Sequence, residues 1–266
     1  MQSSSLAYAN RLVVFLLILF LLAPVFIVFP LSISADSYIA WPPSDWSLKW
    51  FLALPQQRTL VAAMLNSLIL ASVVSVLSVV IGLMVAYVLG RSQFLGRDAL
   101  TSFFSLPLLL PTIVLGLGVL ILFAQRGWTG TWTGLMIAHL TVTLPYTIRV
   151  LMTSLSTLPA DIEAAAASLG ASPLAVVWHI TLPLISTGLI AAGVLSFLIS
   201  FDEVVISLFV VGPRLSTLPV ELFRMVEERG DPMPAAISVV MVVVTLVLAM
   251  AVERMVGLRG AIGTGG

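Results

Sequence analysis

The chain has 266 residues, 60% of them hydrophobic and 9% charged, with a formal net charge of +0 and a mean hydropathy of +1.15. A water-soluble domain of this size does not carry so much apolar surface, so the chain is an integral membrane protein and its solvent is the bilayer. Lys49 is its only lysine and it has no cysteine, which argues against a nucleic-acid footprint and excludes disulfides, thiol nucleophiles and thiolate metal sites.

The first hydrophobic run, 12–33, follows a short polar head with Arg11 and suits a span of about 20 residues; no small-x-small cleavage site follows a short core, so the helix is expected to stay uncleaved. Residues 35–58 are polar and aromatic, with Trp41, Trp46, Trp50, Pro42 and Pro43, and read as an extramembrane loop with interfacial tryptophans. In the second span, 67–89, Ala71, Ser75, Ser78, Gly82 and Ala86 recur at steps of three or four. That face carries only small side chains, which suits close helix packing, with lining of a path as the alternative.

A loop with Arg91 and Arg97 leads to the third span, 100–124, which Pro107 and Pro111 should kink or start late. The fourth span, 134–151, holds His139, Pro145 and Arg149. With no other histidine, cysteine or paired carboxylate near it, His139 reads as a hydrogen-bonded packing residue, and no metal site is expected. The fifth stretch, 184–211, is too long for one upright span and is interrupted at Ser200-Phe201-Asp202-Glu203. A polar connection, 212–232, precedes the sixth span, 235–256, and a Gly-rich tail, 257–266, is expected to be disordered.

Between spans four and five, Asp161 to Pro183 is helical in pattern but cannot cross a membrane. An Ala-rich run ends at Gly170, which can take φ > 0 at a helix C-terminus; Ser172 can cap a second helix, and Pro173 suits its first position. Two short helices and a tight turn are expected, ending at Leu182-Pro183. On the first helix Ile162, Ala165, Ala166 and Leu169 share one face, opposite Asp161, Glu163 and Ser168. Six spans put this segment, both termini and the Arg91 loop on one side. Basic residues divide evenly between the two sides, so the positive-inside rule does not say which side that is.

Gly170, nine residues and then Ile180-Thr181-Leu182-Pro183, after an Ala-rich acidic helix, resembles the EAA signature of permease subunits of binding-protein-dependent ABC importers. Counted back from Gly170, the consensus Glu-Ala-Ala falls on Ala164, Ala165 and Ala166, with Glu163 one position earlier. Ser200-Phe201-Asp202-Glu203, Gly212-Pro213, Thr217-Leu218-Pro219-Val220 and Gly230-Asp231-Pro232 with Ala235-Ala236-Ile237-Ser238 resemble permeases of the spermidine/putrescine type. Pro42-Pro43, Ser47-Leu48-Lys49-Trp50-Phe51 and Asn66-Ser67-Leu68 are similar to the first loop and second span of the same group.

This resemblance implies an all-α integral membrane fold: a single transmembrane permease domain over 1–266, with six transmembrane helices and a cytoplasmic helix-turn-helix, the coupling helix, at 159–183. It implies a multi-pass protein of the bacterial plasma (inner) membrane with both termini cytoplasmic. The implied partners are a cytoplasmic ABC ATPase dimer, a second permease subunit and an extracytoplasmic solute-binding protein. Asp161, Glu163, Ala164, Ala165, Ala166, Ser168, Leu169, Gly170 and Ala171 would form the ATPase-coupling surface. No Gly-x-x-x-x-Gly-Lys-Ser/Thr motif is present, so the chain has no P-loop; no cofactor is expected on it, and ATP and Mg belong to the partner.

The implied substrate is a small cation of polyamine type, attracted to a path by Asp202 and Glu203 with Ser200 and Phe201; the alternative is that the two carboxylates cap a helix break at the outer interface. An amino acid, thiamine or ferric iron would be handled by the same kind of permease. From other classes, an ion-coupled secondary transporter would call for inverted repeats of short or broken spans, and a channel for rings of pore charges; neither pattern is evident. No bond chemistry is expected of the chain itself.

Overall fold

The computed structural model describes residues 2–256, and among them every regular element is a helix. The tail 257–266 lies outside the described residues. The chain forms two compact units, one from the chain up to Val61 with Leu222–Val244, the other from Ala62–Glu221 with the chain beyond Thr245.

In the first unit, α1 (Gln2–Ser32) starts earlier than the hydrophobic run because the polar head continues the same helix. Its apolar part, Asn10–Ser32, is long enough to cross a membrane, and its side chains are exposed as lipid-facing ones are. The following loop is organised around Asp36, which accepts from Ser34 Oγ at 2.9 Å, from Ser44 N at 3.0 Å and from the Ser44 hydroxyl. Lys49 Nζ donates to Ala35 O at 2.5 Å and stands 4.8 Å from the Trp50 ring centre. A short α2 (Lys49–Ala53) and a 3-10 turn (Leu54–Gln56) close it. The 35–58 stretch is therefore a hydrogen-bonded loop with a helical end.

The second unit is built round two long helices. α3 (Arg58–Arg91) has 34 residues, about 50 Å at the α-helical rise, and α6 (Trp132–Ser156) has 25. The small-residue face of α3 lies against other helices: Ala71, Ser78 and Ala86 are fully buried, Ser75 Oγ donates to Gly193 O at 2.6 Å, and Ser78 Oγ lies 2.6 Å from Thr143 Oγ1. Packing, not path lining, accounts for that stripe. Between them come α4 (Arg97–Leu109) and α5 (Thr112–Arg126), bent by 104°. The cause is local, because a residue before proline is driven out of the helical region, and Leu110 before Pro111 is extended at φ −90°, ψ 139°. The expected third span is thus two helices, not one kinked helix.

After α6 follow α7 (Ala160–Ser168), α8 (Pro173–Val176), a π-helical turn (Val177–Thr181) and α9 (Leu182–Leu184). The helical path runs on through Pro183, with Thr181 and Leu182 before it both at right-handed helical dihedrals, so the segment does not end at Leu182-Pro183. The direction changes by 75° at Ile185, where α10 (Ser186–Phe201) begins. α11 (Val205–Val210) follows the Asp202–Val204 break. The polar connection contains a helix the sequence reading lacks, α12 (Leu218–Glu228), before α13 (Met233–Val256).

Two apolar clusters hold the second unit. One joins α3, α5, α6 and α11 through Leu70, Val74, Phe123, Leu135 and Ile206; the other joins α3, α6 and α10 through Ala86, Ile148, Leu151, Ile185 and Ala192. Among the described residues, three helices can cross a membrane by length and composition, up to five if each bent pair is one span, and Met233–Val247 is a shorter apolar helix.

Candidate functional site

The segment between α6 and α10 is shaped by its turn. Gly170 has φ +91°, a left-handed conformation open to glycine, and the amides of Gly170 and Ala171 reach back to Ala167 O and Ala166 O at 3.0 and 3.1 Å. Ser172 Oγ accepts from Ala175 N at 3.3 Å to start the next helix, with Pro173 at its first position. The sequence pattern of two short helices and a tight turn is what forms.

The orientation of α7 differs from the expected one. Asp161, Ile162, Ala164, Ala165 and Ser168 are exposed, and Leu169 is 90% exposed at the turn. The residue that faces inward is Glu163. Its Oε2 lies 2.7 Å from Arg91 Nε at the end of α3, and its Oε1 accepts from Thr181 Oγ1 at 2.5 Å in the π turn. Arg91 also donates through Nη2 to Leu158 O at 3.0 Å, just before α7. An inward carboxylate is tolerated because an ion pair and a hydroxyl satisfy it. The apolar side chains Leu169, Leu174 and Trp178 stay outside, the last two at 68% and 62% exposure.

The second candidate region is the break after α10. His139 in α6 is fully buried, with Nδ1 at 2.8 Å from Ser200 Oγ and Nε2 at 2.9 Å from Ser207 Oγ. The Ser207 hydroxyl proton is committed to Glu203 O at 2.8 Å, so donor accounting puts the imidazole proton on Nε2, with Nδ1 accepting from Ser200. His139 is the packing residue the sequence suggested, and it pins both sides of the break. Ser200 and Phe201 therefore point into the chain: Ser200 is held by His139, and Phe201 is buried and stacked on Phe197 at 5.7 Å. Glu203 is half-buried and accepts from Ile206 N at 2.9 Å, capping α11. Asp202 is the member of the set that is exposed.

Arg149, read in the sequence as a charge near the end of span four, lies between two cavities. One of about 350 Å³ includes Thr101, Ser105 and Ser156; the other, of about 600 Å³, includes Tyr146, Ser154, Thr157 and Thr187. The stripe Tyr146, Arg149 and Thr153 on α6, continued by Thr157 at its C-terminal cap, follows helical spacing, a signal present in the sequence but masked by the aliphatic residues between.

Comparison with known proteins places these features in context. The model of the family described as "Binding-protein-dependent transport system inner membrane component" matches residues 78–259. The chain is 30% identical to the spermidine/putrescine transport system permease protein PotC of Haemophilus influenzae, over 88% of this chain and 91% of that protein. It is 32% identical to the putrescine transport system permease protein PotI of Escherichia coli, over 84% of this chain and 82% of that protein. A chain from the solved structure of a bacterial ABC transporter involved in import of the acidic polysaccharide alginate has a similar fold, with a TM-score of 0.73 at 14% identity, covering 96% of this chain and 97% of that one.

Proposed function

The chain belongs to the binding-protein-dependent transport system inner membrane component family, and we propose that it serves as a permease of an ATP-driven importer for a small organic cation of polyamine type. It is a multi-pass membrane protein and an ABC permease subunit, not itself a catalyst. The observation that carries the rest is the exposed helix-turn-helix around Gly170, with Leu169 bare at its tip. In this reading it is the coupling helix on the cytoplasmic side, docked on an ATPase dimer that binds ATP and Mg.

The fold is read as one permease domain of six spans, formed by α1, α3, the α4–α5 pair, α6, the stretch 184–211 that contains α10 and α11, and α13, with both termini cytoplasmic. A second permease subunit completes the path and an extracytoplasmic binding protein delivers the solute. Closure of the ATPases on ATP moves the coupling helices together and opens the path outward; hydrolysis and reopening return it inward. The exposed Tyr146, Arg149, Thr153 stripe supports a water-filled wall along α6, since guanidinium and hydroxyl groups facing lipid would be costly. The exposed Asp202 supplies a negative charge for an approaching cation. The PotC and PotI names support the polyamine class.

The test is reconstitution of the complete complex in proteoliposomes with labelled putrescine and spermidine. ATP-dependent uptake is expected, with no ATP turnover by the purified permease alone. Uptake that is unaffected by omitting the ATPase would overturn the importer reading. Competition by an amino acid, thiamine or ferric iron at lower concentration than the polyamine would overturn the substrate class.

A further inference from the structure

We infer, resting on the docking role proposed for α7, that Arg91 and Glu163 are positioning residues for coupling: their ion pair is an internal strut that ties α7 to α3 and to the start of the next span. Glu163 is then absent from the surface offered to the ATPase.

Three features carry this. Arg91 is the last residue of α3, and it meets the α7 region at two places: Nε stands 2.7 Å from Glu163 Oε2 as a charge contact without hydrogen-bond alignment, and Nη2 donates to Leu158 O at 3.0 Å. The other carboxylate oxygen takes the hydroxyl of the fully buried Thr181, in the π turn that leads toward α10. One carboxylate thus ties α7 to two other elements, each through a different oxygen.

The pair is also shielded. The side chains of Arg91 and Glu163 are 16% and 11% exposed, so the attraction is little screened and the loss of either partner leaves the other charge badly solvated. The rest of α7 has little else to fix it. Its backbone packs chiefly on α8 and the π turn, and its remaining side chains are mostly alanines turned to the outside. Alanine has no length with which to interlock with α3, so the Arg91 side chain is the bridge through which a push on α7 reaches that helix.

The displaced glutamate fits this role. Successive residues on a helix point about 100° apart. A carboxylate at 163 turns inward, whereas Ala164, Ala167 and Ser168 look outward. Moving the acid by one residue converts a surface group into an internal one.

The experiment uses the complete transporter in nanodiscs with Arg91→Ala, Glu163→Gln and the double reversal Arg91→Glu/Glu163→Arg. ATPase retention, uptake per ATP hydrolysed, and the spin-label distance between Ser92→Cys and Ala167→Cys are measured, with the partner subunits made cysteine-free; the chain has no cysteine of its own. Each single variant should retain the ATPase but lose about tenfold or more in uptake per ATP, as expected when a shielded pair is broken. The label distance should broaden, and the reversal should recover part of both. Wild-type uptake per ATP with an unchanged distance in both single variants would overturn the strut. So would loss of the ATPase in Glu163→Gln at an unchanged distance, since the carboxylate would then be a partner contact. Leu169→Asp separates the underlying reading: if it leaves ATPase retention at the wild-type level, docking through α7 fails, while the strut is still judged by the distance.

Discussion

His139 Nδ1 lies 2.8 Å from Ser200 Oγ, which ties α6 to the last turn of α10 two residues before the exposed Asp202. With Nε2 on Ser207 beyond the break, one ring holds two helices that would otherwise be joined by three irregular residues. His139→Ala removes both ring contacts and leaves the buried Ser200 hydroxyl without its partner beside a hole, while Ser207 keeps its bond to Glu203 O. A loss of about 1–3 kcal/mol per orphaned group is expected, read as a lower melting temperature of the detergent-solubilised protein. His139→Gln keeps one donor and one acceptor and should recover part of it. Equal melting of all three proteins would show that the ring acts only as filler.

Gly170 is strained for any other residue, though not for want of room. Its φ of +91° disfavours side chains, yet a Cβ there would meet nothing within 4 Å. The effect of Gly170→Val is therefore conformational, about 1–3 kcal/mol against the turn. ATP-dependent uptake should fall while the spans stay folded, and Gly170→Asn should be milder, since asparagine tolerates the left-handed region better. Full uptake by the valine variant would count against a rigid turn at the docking surface.

Gly188 makes the opposite case. A Cβ there would fall 1.8 Å from Ser154 Oγ and 2.5 Å from Ser154 Cβ, so α6 and α10 approach as closely as a glycine permits. Gly188→Ala should destabilise by about 1–3 kcal/mol through overpacking. Ser154→Ala should not rescue it, because the Cβ clash remains, whereas Ser154→Gly should. Rescue by alanine as good as by glycine would mean that the helices separate easily.

The features legible in the sequence were those set by neighbours along the chain. The small stripe from Ala71 to Ala86, the turn at Gly170 and the interruption at Asp202 each follow from spacing or from one residue's backbone preferences, and each is where it was expected. The partner of Glu163 was not legible, because Arg91 stands on another helix and the pairing depends on tertiary packing. The same holds for Ser200, whose partner His139 is 61 residues away. The 104° bend was underestimated because the sequence shows the proline but not how far the chain will turn once Leu110 is extended. α12 was hidden by its charges, Glu221, Arg224, Glu227 and Glu228, which made an amphipathic helix look like a loop.

The Asp36 loop gives a pH signature outside the membrane. Hydrogen bonds from the Ser44 side chain, the Ser44 amide and Ser34 hold the half-buried Asp36 below the ordinary aspartate value of 3.8. A lowered pKa in the folded loop contributes order that is present above the unfolded value and is lost as pH falls through the folded one. Fluorescence of Trp41 and Trp46 flanking Ser44 should therefore be flat above about pH 4 and change below it. Ser44→Ala should move that change upward; a titration that stays in place would remove Ser44 as its cause.

Asp202 and Glu203 are adjacent but built for different work. Glu203 caps α11 through Ile206 N at 2.9 Å, whereas Asp202 is exposed with its backbone ending α10. If charge at the break attracts the solute, Asp202→Asn alone should reduce polyamine uptake markedly, with the melting temperature unchanged. Glu203→Gln keeps an acceptor for the Ile206 amide and should preserve stability, while Glu203→Ala should cost about 1 kcal/mol as a lost helix cap. Uptake by Glu203→Gln then divides the two roles: near-wild-type transport leaves Asp202 as the attracting charge, and a loss equal to that of Asp202→Asn makes the pair act together. Unchanged uptake in the double variant Asp202→Asn/Glu203→Gln would leave both carboxylates as parts of the break and move the search for the cation's route to the stripe on α6.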